Sequence, residues 1–248
     1  MKVVMQSAGP SIIHSTLPHT LNVLVHVVFG TAAIGAGLVP IVTRKGGRAH
    51  RRFGRIFLAC LGVVIVTAVI GVFAFNFRAF LGIITLLAAY NGYSGYRVLQ
   101  TKAAGPQLRD TAAALGALAL VAGFLQYLHA VRVPWAPVVI YSTLGSLVFV
   151  SAYDLVRLAF PRRWYGSLWL YEHLAKMLAA YSAVLSAFAG TVLVRWQPYS
   201  QIVPSALAVA AMVGFGVASR NNSPSACMAT SFGPDHCRDS SRACKLTR

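Results

Sequence analysis

The chain is 248 residues long, 57% apolar and 11% charged, with a net charge of +17. Soluble domains carry roughly 25% charged residues, so this composition excludes an ordinary water-soluble fold. The cations sit in short clusters between apolar runs rather than along one exposed face, which excludes a nucleic-acid footprint and makes anionic lipid head groups the expected partner of the charge.

Residues 1–19 are expected to form an extracytoplasmic segment. Gln6, Ser7, Gly9, Pro10 and Ser11 interrupt its apolar residues, so the apolar core of a cleavable signal is not expected there. Seven helical spans follow, at 20–42, 56–75, 79–99, 111–131, 137–159, 167–194 and 202–219. About 20 apolar residues cross the roughly 30 Å of hydrocarbon, and backbone groups in lipid must bond within their own element, so helices are the expected form. The breaks have chemical causes. Asn76-Phe77-Arg78, Gly105-Pro106 and the Pro134–Pro137 stretch separate spans, and Pro161 and Pro198 stop helices because proline lacks the amide hydrogen. The fold class is therefore an all-α polytopic transmembrane bundle over 20–219. A Ser/Asn/Asp/Arg-rich tail, 220–248, reads as disordered.

Orientation follows from Lys and Arg. One set of connections and the tail hold 17 of them, six within Arg44–Arg55 alone, against four on the other side (Lys2, Arg78, Arg132 and Arg195). The positive-inside rule puts the N-terminus outside and the C-terminus in the cytoplasm, as expected of a multi-pass protein of the inner (plasma) membrane. Trp135, Trp164, Trp169 and Trp196 fall near span ends, where indoles prefer the head-group level. Ala33 and Gly37, four apart, allow close helix approach.

One segment carries a family resemblance. His26, then Phe29-Gly30-Thr31, then Arg48-Ala49-His50-Arg51-Arg52-Phe53-Gly54-Arg55-Ile56-Phe57 resembles the bacterial membrane proteins of the domain of unknown function 2306 family. The likeness is sharp over about 35 residues and general elsewhere. It implies a multispan bacterial membrane protein and brings no assigned reaction.

Polar groups at membrane depth are costly and mark function by default. An outer layer holds Asn22 and His26 on the first span with Gln126 and His129 on the fourth; His26 lies about 27 Å along the helix from Arg44. Imidazole suits iron, copper and zinc, so His26 and His129 are the candidate cofactor ligands, heme being the group considered; hydrogen-bonded interfacial histidines are the plainer alternative. An inner layer holds Asp154 and Arg157 on the fifth span with Glu172, His173 and Lys176 on the sixth. Glu172–Lys176 (i,i+4) and Asp154–Arg157 (i,i+3) can each neutralise themselves along their own helix. The functional reading is a proton-handling or anion-binding site at the cytoplasmic mouth, with His173 titrating and His50 and its neighbouring arginines as a lid. Tyr90, Tyr93 and Tyr96 make a hydroxyl stripe that could line a cavity.

No nucleotide-binding Gly-rich loop, zincin motif or nucleophile elbow occurs, so no enzyme class is indicated. In the tail, Cys227, Cys237, Cys244 and His236 lack a CxxC pair, and no metal site is expected there. Three functions remain open: a redox-linked or cofactor-binding membrane protein, a small-molecule or proton-coupled transporter, and a membrane scaffold or assembly factor. A homo-oligomer or a membrane-complex partner fits any of them.

Overall fold

The computed structural model describes residues 17–75, 79–130 and 137–221. Arg78, Arg132 and Trp135 lie outside the described residues, as do the segment 1–16, the tail cysteines with His236, and the Trp164 side chain. Seven α-helices are described: α1 (Leu17–Val42), α2 (Arg48–Ile70), α3 (Ala79–Thr101), α4 (Leu108–Ala130), α5 (Pro137–Val156), α6 (Arg162–Val192) and α7 (Tyr199–Asn221). Among the described residues no strand occurs. The chain divides at Ala208 and Val209 into two units, and α7 begins in the first and continues into the second.

Five helices are long and apolar enough to cross a membrane: Leu17–Val42, Arg48–Phe75, Leu108–Ala130, Val138–Ala159 and Leu168–Val192. By length and composition this is a membrane protein. The expected third span, 79–99, is a helix but falls outside that set, because its second half is rich in tyrosine, asparagine, serine and glycine. Packing explains its polarity. α3 is the hub of the first unit, lying against α2, α4, α5 and α6. A helix surrounded by protein can carry polar groups that a lipid-facing helix cannot. The apolar Tyr199–Phe215 stretch of α7 is shorter than the five.

The basic segment is not one loop. Only residues 43–47 are non-helical, and Arg48–Arg55 form the first two turns of α2. Gly46, at φ +76°, makes the turn that glycine tolerates at least cost. Nothing after Gly47 breaks a helix, and arginine is a good helix former.

Two cores hold the helices. One gathers Ala33, Ala36, Phe57, Leu61, Ile84 and Ala180 from α1, α2, α3 and α6. The other gathers Ile83, Ala114, Ala117, Val121, Leu144 and Leu147 from α3, α4 and α5. Ala33 is fully buried, and Gly37 has the Tyr181 ring where a side chain would be: a Cβ there would sit 2.5 Å from Tyr181 Cδ2. The small pair thus brings α1 against α6.

Gly105 closes the α3–α4 connection at φ +80° and ψ −177°, a region open essentially to glycine alone. A Cβ would lie 2.5 Å from Tyr165 Cε2, on a ring pinned by its hydroxyl bond to the Arg157 carbonyl at 2.7 Å. Gly105→Ala is expected to destabilise the protein by about 2–4 kcal/mol, backbone strain and overpacking together. Denaturant unfolding in detergent measures this; a loss inside experimental error would contradict the turn geometry.

Candidate functional site

The inner polar layer lies where α3, α5 and α6 meet. Gly95 of α3 lets α6 come close, since a Cβ there would be 3.1 Å from Lys176 Cβ. The layer's charges pair across helices. Lys176 Nζ donates to Asp154 Oδ1, and Arg157 Nε lies 3.0 Å from Glu172 Oε1. The same-helix pairs expected from spacing are therefore replaced by crossed ones. Glu172 and Lys176 turn to α5 rather than to each other. The physical reason is burial: at i,i+4 on an exposed face a pair meets over water, whereas here both side chains are buried in the layer where α3 packs against α5 and α6. Glu172 and Lys176 are 6% and 5% exposed.

Tyrosines complete the shell. Tyr90 donates to Asp154 Oδ2 at 2.7 Å, and Tyr153 donates to Glu172 Oε1 at 2.7 Å. Of the expected tyrosine stripe, Tyr90 and Tyr93 line the cavity beside this layer, while Tyr96 does not and is 45% exposed. Three residues turn a helix by about 300°, so an i,i+3,i+6 row drifts off any one face.

His173 and His50 stand together. The rings lie 6.5 Å apart, centroid to centroid, near edge-to-face. His173 Nδ1 donates to Gly95 O at 2.9 Å and His50 Nδ1 donates to Pro40 O at 3.2 Å. A carbonyl only accepts, so both rings carry their proton on Nδ1 in the neutral form. His50 thereby has a structural reason. α1 ends at Val42, leaving its last carbonyls without amide partners. Lys45 Nζ donates to Pro40 O at 2.8 Å and to Ile41 O at 2.7 Å, and His50 shares Pro40 O. Cationic groups at a helix C-terminus also complement its dipole. Partial burial holds the Lys45 ammonium below the usual lysine pKa.

A second ionic cluster closes the α3–α4 corner. Arg97 Nε donates to Asp110 Oδ1 at 2.6 Å and Nη2 to Asp110 Oδ2 at 3.2 Å, with Gln107 Oε1 at 2.9 Å from Nη2. Along the sequence Arg97 is one of the 17 cations on the cytoplasmic side of the count, and no helical spacing links it to Asp110. A signal was available, because the chain holds only five acidic residues against 22 basic ones. The three described ones, Asp110, Asp154 and Glu172, are all in ion pairs.

Between these groups lies a cavity bounded by Tyr90, Ser94, Arg97, Asp154, Arg157 and Lys176. The volume open to a water's centre is about 10 Å³, room for about one water molecule.

The outer layer is arranged differently. His26 Nδ1 lies 2.9 Å from Thr67 Oγ1, whose own proton goes to the Val63 and Val64 carbonyls at 2.8 and 3.0 Å. The hydroxyl therefore accepts from His26, and Asn22 Nδ2 donates to Thr67 O at 3.1 Å. His129 and Gln126 are exposed on α4. α1 lies mainly against α2 and α6, and α4 mainly against α5 and α3. His26 is thus held to α2, while His129 sits on a helix with other principal neighbours. Among the described residues no three His, Cys, Asp or Glu side chains gather as a metal-binding group. No family model, curated protein or solved structure matches the chain.

Proposed function

We propose that the chain is a multi-pass protein of the bacterial inner membrane, N-terminus outside and C-terminus cytoplasmic, that handles protons at its inner polar layer as a proton-coupled transporter. The observation that carries this reading is the crossed pair of buried ion pairs, Asp154–Lys176 and Glu172–Arg157, beside a water-sized cavity. Buried ion pairs add little net stability over apolar packing of the same volume, so stability alone does not account for four such groups. Chains of carboxylate, histidine and tyrosine in a membrane are the usual material of proton relays. The charge asymmetry of the connections supports the orientation. The resemblance of His26 through Phe57 to the domain of unknown function 2306 family supports a bacterial multispan protein. The cofactor reading draws less support, since Thr67 engages His26 and His129 stands on an exposed face.

Proton flux in liposomes containing a pH dye, driven by an acid-outside pH gradient in sodium chloride buffer, tests the proposal. The wild-type chain is expected to acidify the lumen. The double variant Asp154→Asn/Lys176→Met, which removes the pair without leaving a lone charge, is expected to fold and to lose most of that flux. Equal flux in the two proteins would sink the reading.

A further inference from the structure

Three cations line the cavity, and two of them are fully engaged: Arg97 by Asp110 and Lys176 by Asp154. Arg157 is not. It is 4% exposed, its guanidinium lies over the Tyr165 ring 5.4 Å from the centroid, and its Nη2 has no hydrogen-bond acceptor among the described residues. Its Nε, although 3.0 Å from Glu172 Oε1, makes no aligned hydrogen bond. Ser94, 7% exposed on the same lining, has a hydroxyl without a partner among the described residues. A guanidinium offers only donors, and buried donors left unpaired are costly. The unfilled valence of this cavity is thus for an acceptor, and the cations on its lining disfavour a metal ion.

We propose that the cavity binds one small monovalent anion, of halide size, on Arg157 and the Ser94 hydroxyl, and that the anion enters together with a proton. The second half rests on the proton-handling reading. Arg97, Arg157 and Lys176 balance Asp110, Asp154 and Glu172, so an added anion leaves one uncompensated negative charge in a buried layer. A proton from the aqueous phase restores neutrality by forming an O–H bond on Glu172 Oε2, the carboxylate oxygen without a hydrogen-bond partner. No other bond is made or broken. Neutral Glu172 releases Arg157 from its ion pair, and the guanidinium then faces the anion. The titratable groups around this exchange are Tyr90, Tyr93 and Arg97 from α3, Asp110 from α4, and Tyr153 and Asp154 from α5. α6 adds Tyr165, His173 and Lys176, with His50 of α2 against His173. Asp154 is held by both Lys176 and Tyr90, whereas Glu172 keeps one oxygen unpaired, so Glu172 takes the proton.

The test uses the full chain in detergent and gluconate buffer, titrated with sodium bromide while thermal unfolding is followed. Bromide is expected to stabilise the wild type saturably, and sodium sulfate, too large for the cavity, is not. Affinity should rise by about tenfold from neutral to acidic pH, and Ser94→Ala should weaken it by about tenfold. Glu172→Gln should bind bromide with no pH dependence, and Arg157→Lys should bind weakly. No saturable shift in the wild type, or an unchanged affinity in Ser94→Ala, overturns the anion site. If that occurs while the Asp154/Lys176 variant still loses proton flux, the proton reading stands without it. Bromide binding that is equal at both pH values overturns the coupling.

Discussion

Replacing Lys176 with methionine is expected to cost the protein about 3–5 kcal/mol, the usual penalty for removing one partner of a buried ion pair. Asp154 would then keep only Tyr90 in a site where its charge has no other described cationic partner. Adding Asp154→Asn to that variant is expected to restore most of the loss, because the pair is removed whole. A cycle on Asp154 and Lys176 should therefore show coupling of at least about 3 kcal/mol, at or above the top of the range for residues in contact. The cycle on Glu172 and Lys176, which spacing along α6 would favour, should show much less. Chaotrope unfolding in detergent measures both. A larger coupling within α6 than across to α5 would mean that the pairing is not crossed.

Arg97→Leu is the second large loss expected, about 2–3 kcal/mol from charge-assisted hydrogen bonds. Arg97 is 7% exposed and binds Asp110 through two nitrogens, with Gln107 beside it. Asp110 also accepts the Gln107 amide at 2.8 Å in the first turn of α4, a position where a carboxylate suits the helix dipole. The substitution releases the start of α4 from α3. Faster amide exchange confined to residues 105–112 should accompany the loss; exchange unchanged there would show that Asp110 holds the turn without Arg97.

Much of the architecture was legible in the sequence. Apolar runs of about 20 residues mark α1, α2, α4, α5 and α6, and Gly105-Pro106 and Pro161 stand at real helix boundaries. Six cations in twelve residues resemble a solvated connection, yet Arg48–Arg55 form the first two turns of α2; arginine is a good helix former, and charge alone does not break a helix. The polar character of α3 was visible, but its central position was not, since periodicity reports a helix and not its neighbours. His50 shows the same limit. No local pattern says that it reaches ten residues back to Pro40 O.

Composition and the distribution of charge by themselves determined that this is a helical membrane protein and which residues are costly there: Asp154, Arg157, Glu172, His173 and Lys176. These follow from one-dimensional quantities, the length of apolar runs and the scarcity of charge within them. Only the tertiary structure decided who pairs with whom. Spacing along a helix ranks partners three and four residues away, but burial in the layer that α3 forms with α5 and α6 turned each charge to the opposite helix. That exchange left Arg157 with donors to spare, and the cavity owes its character to it.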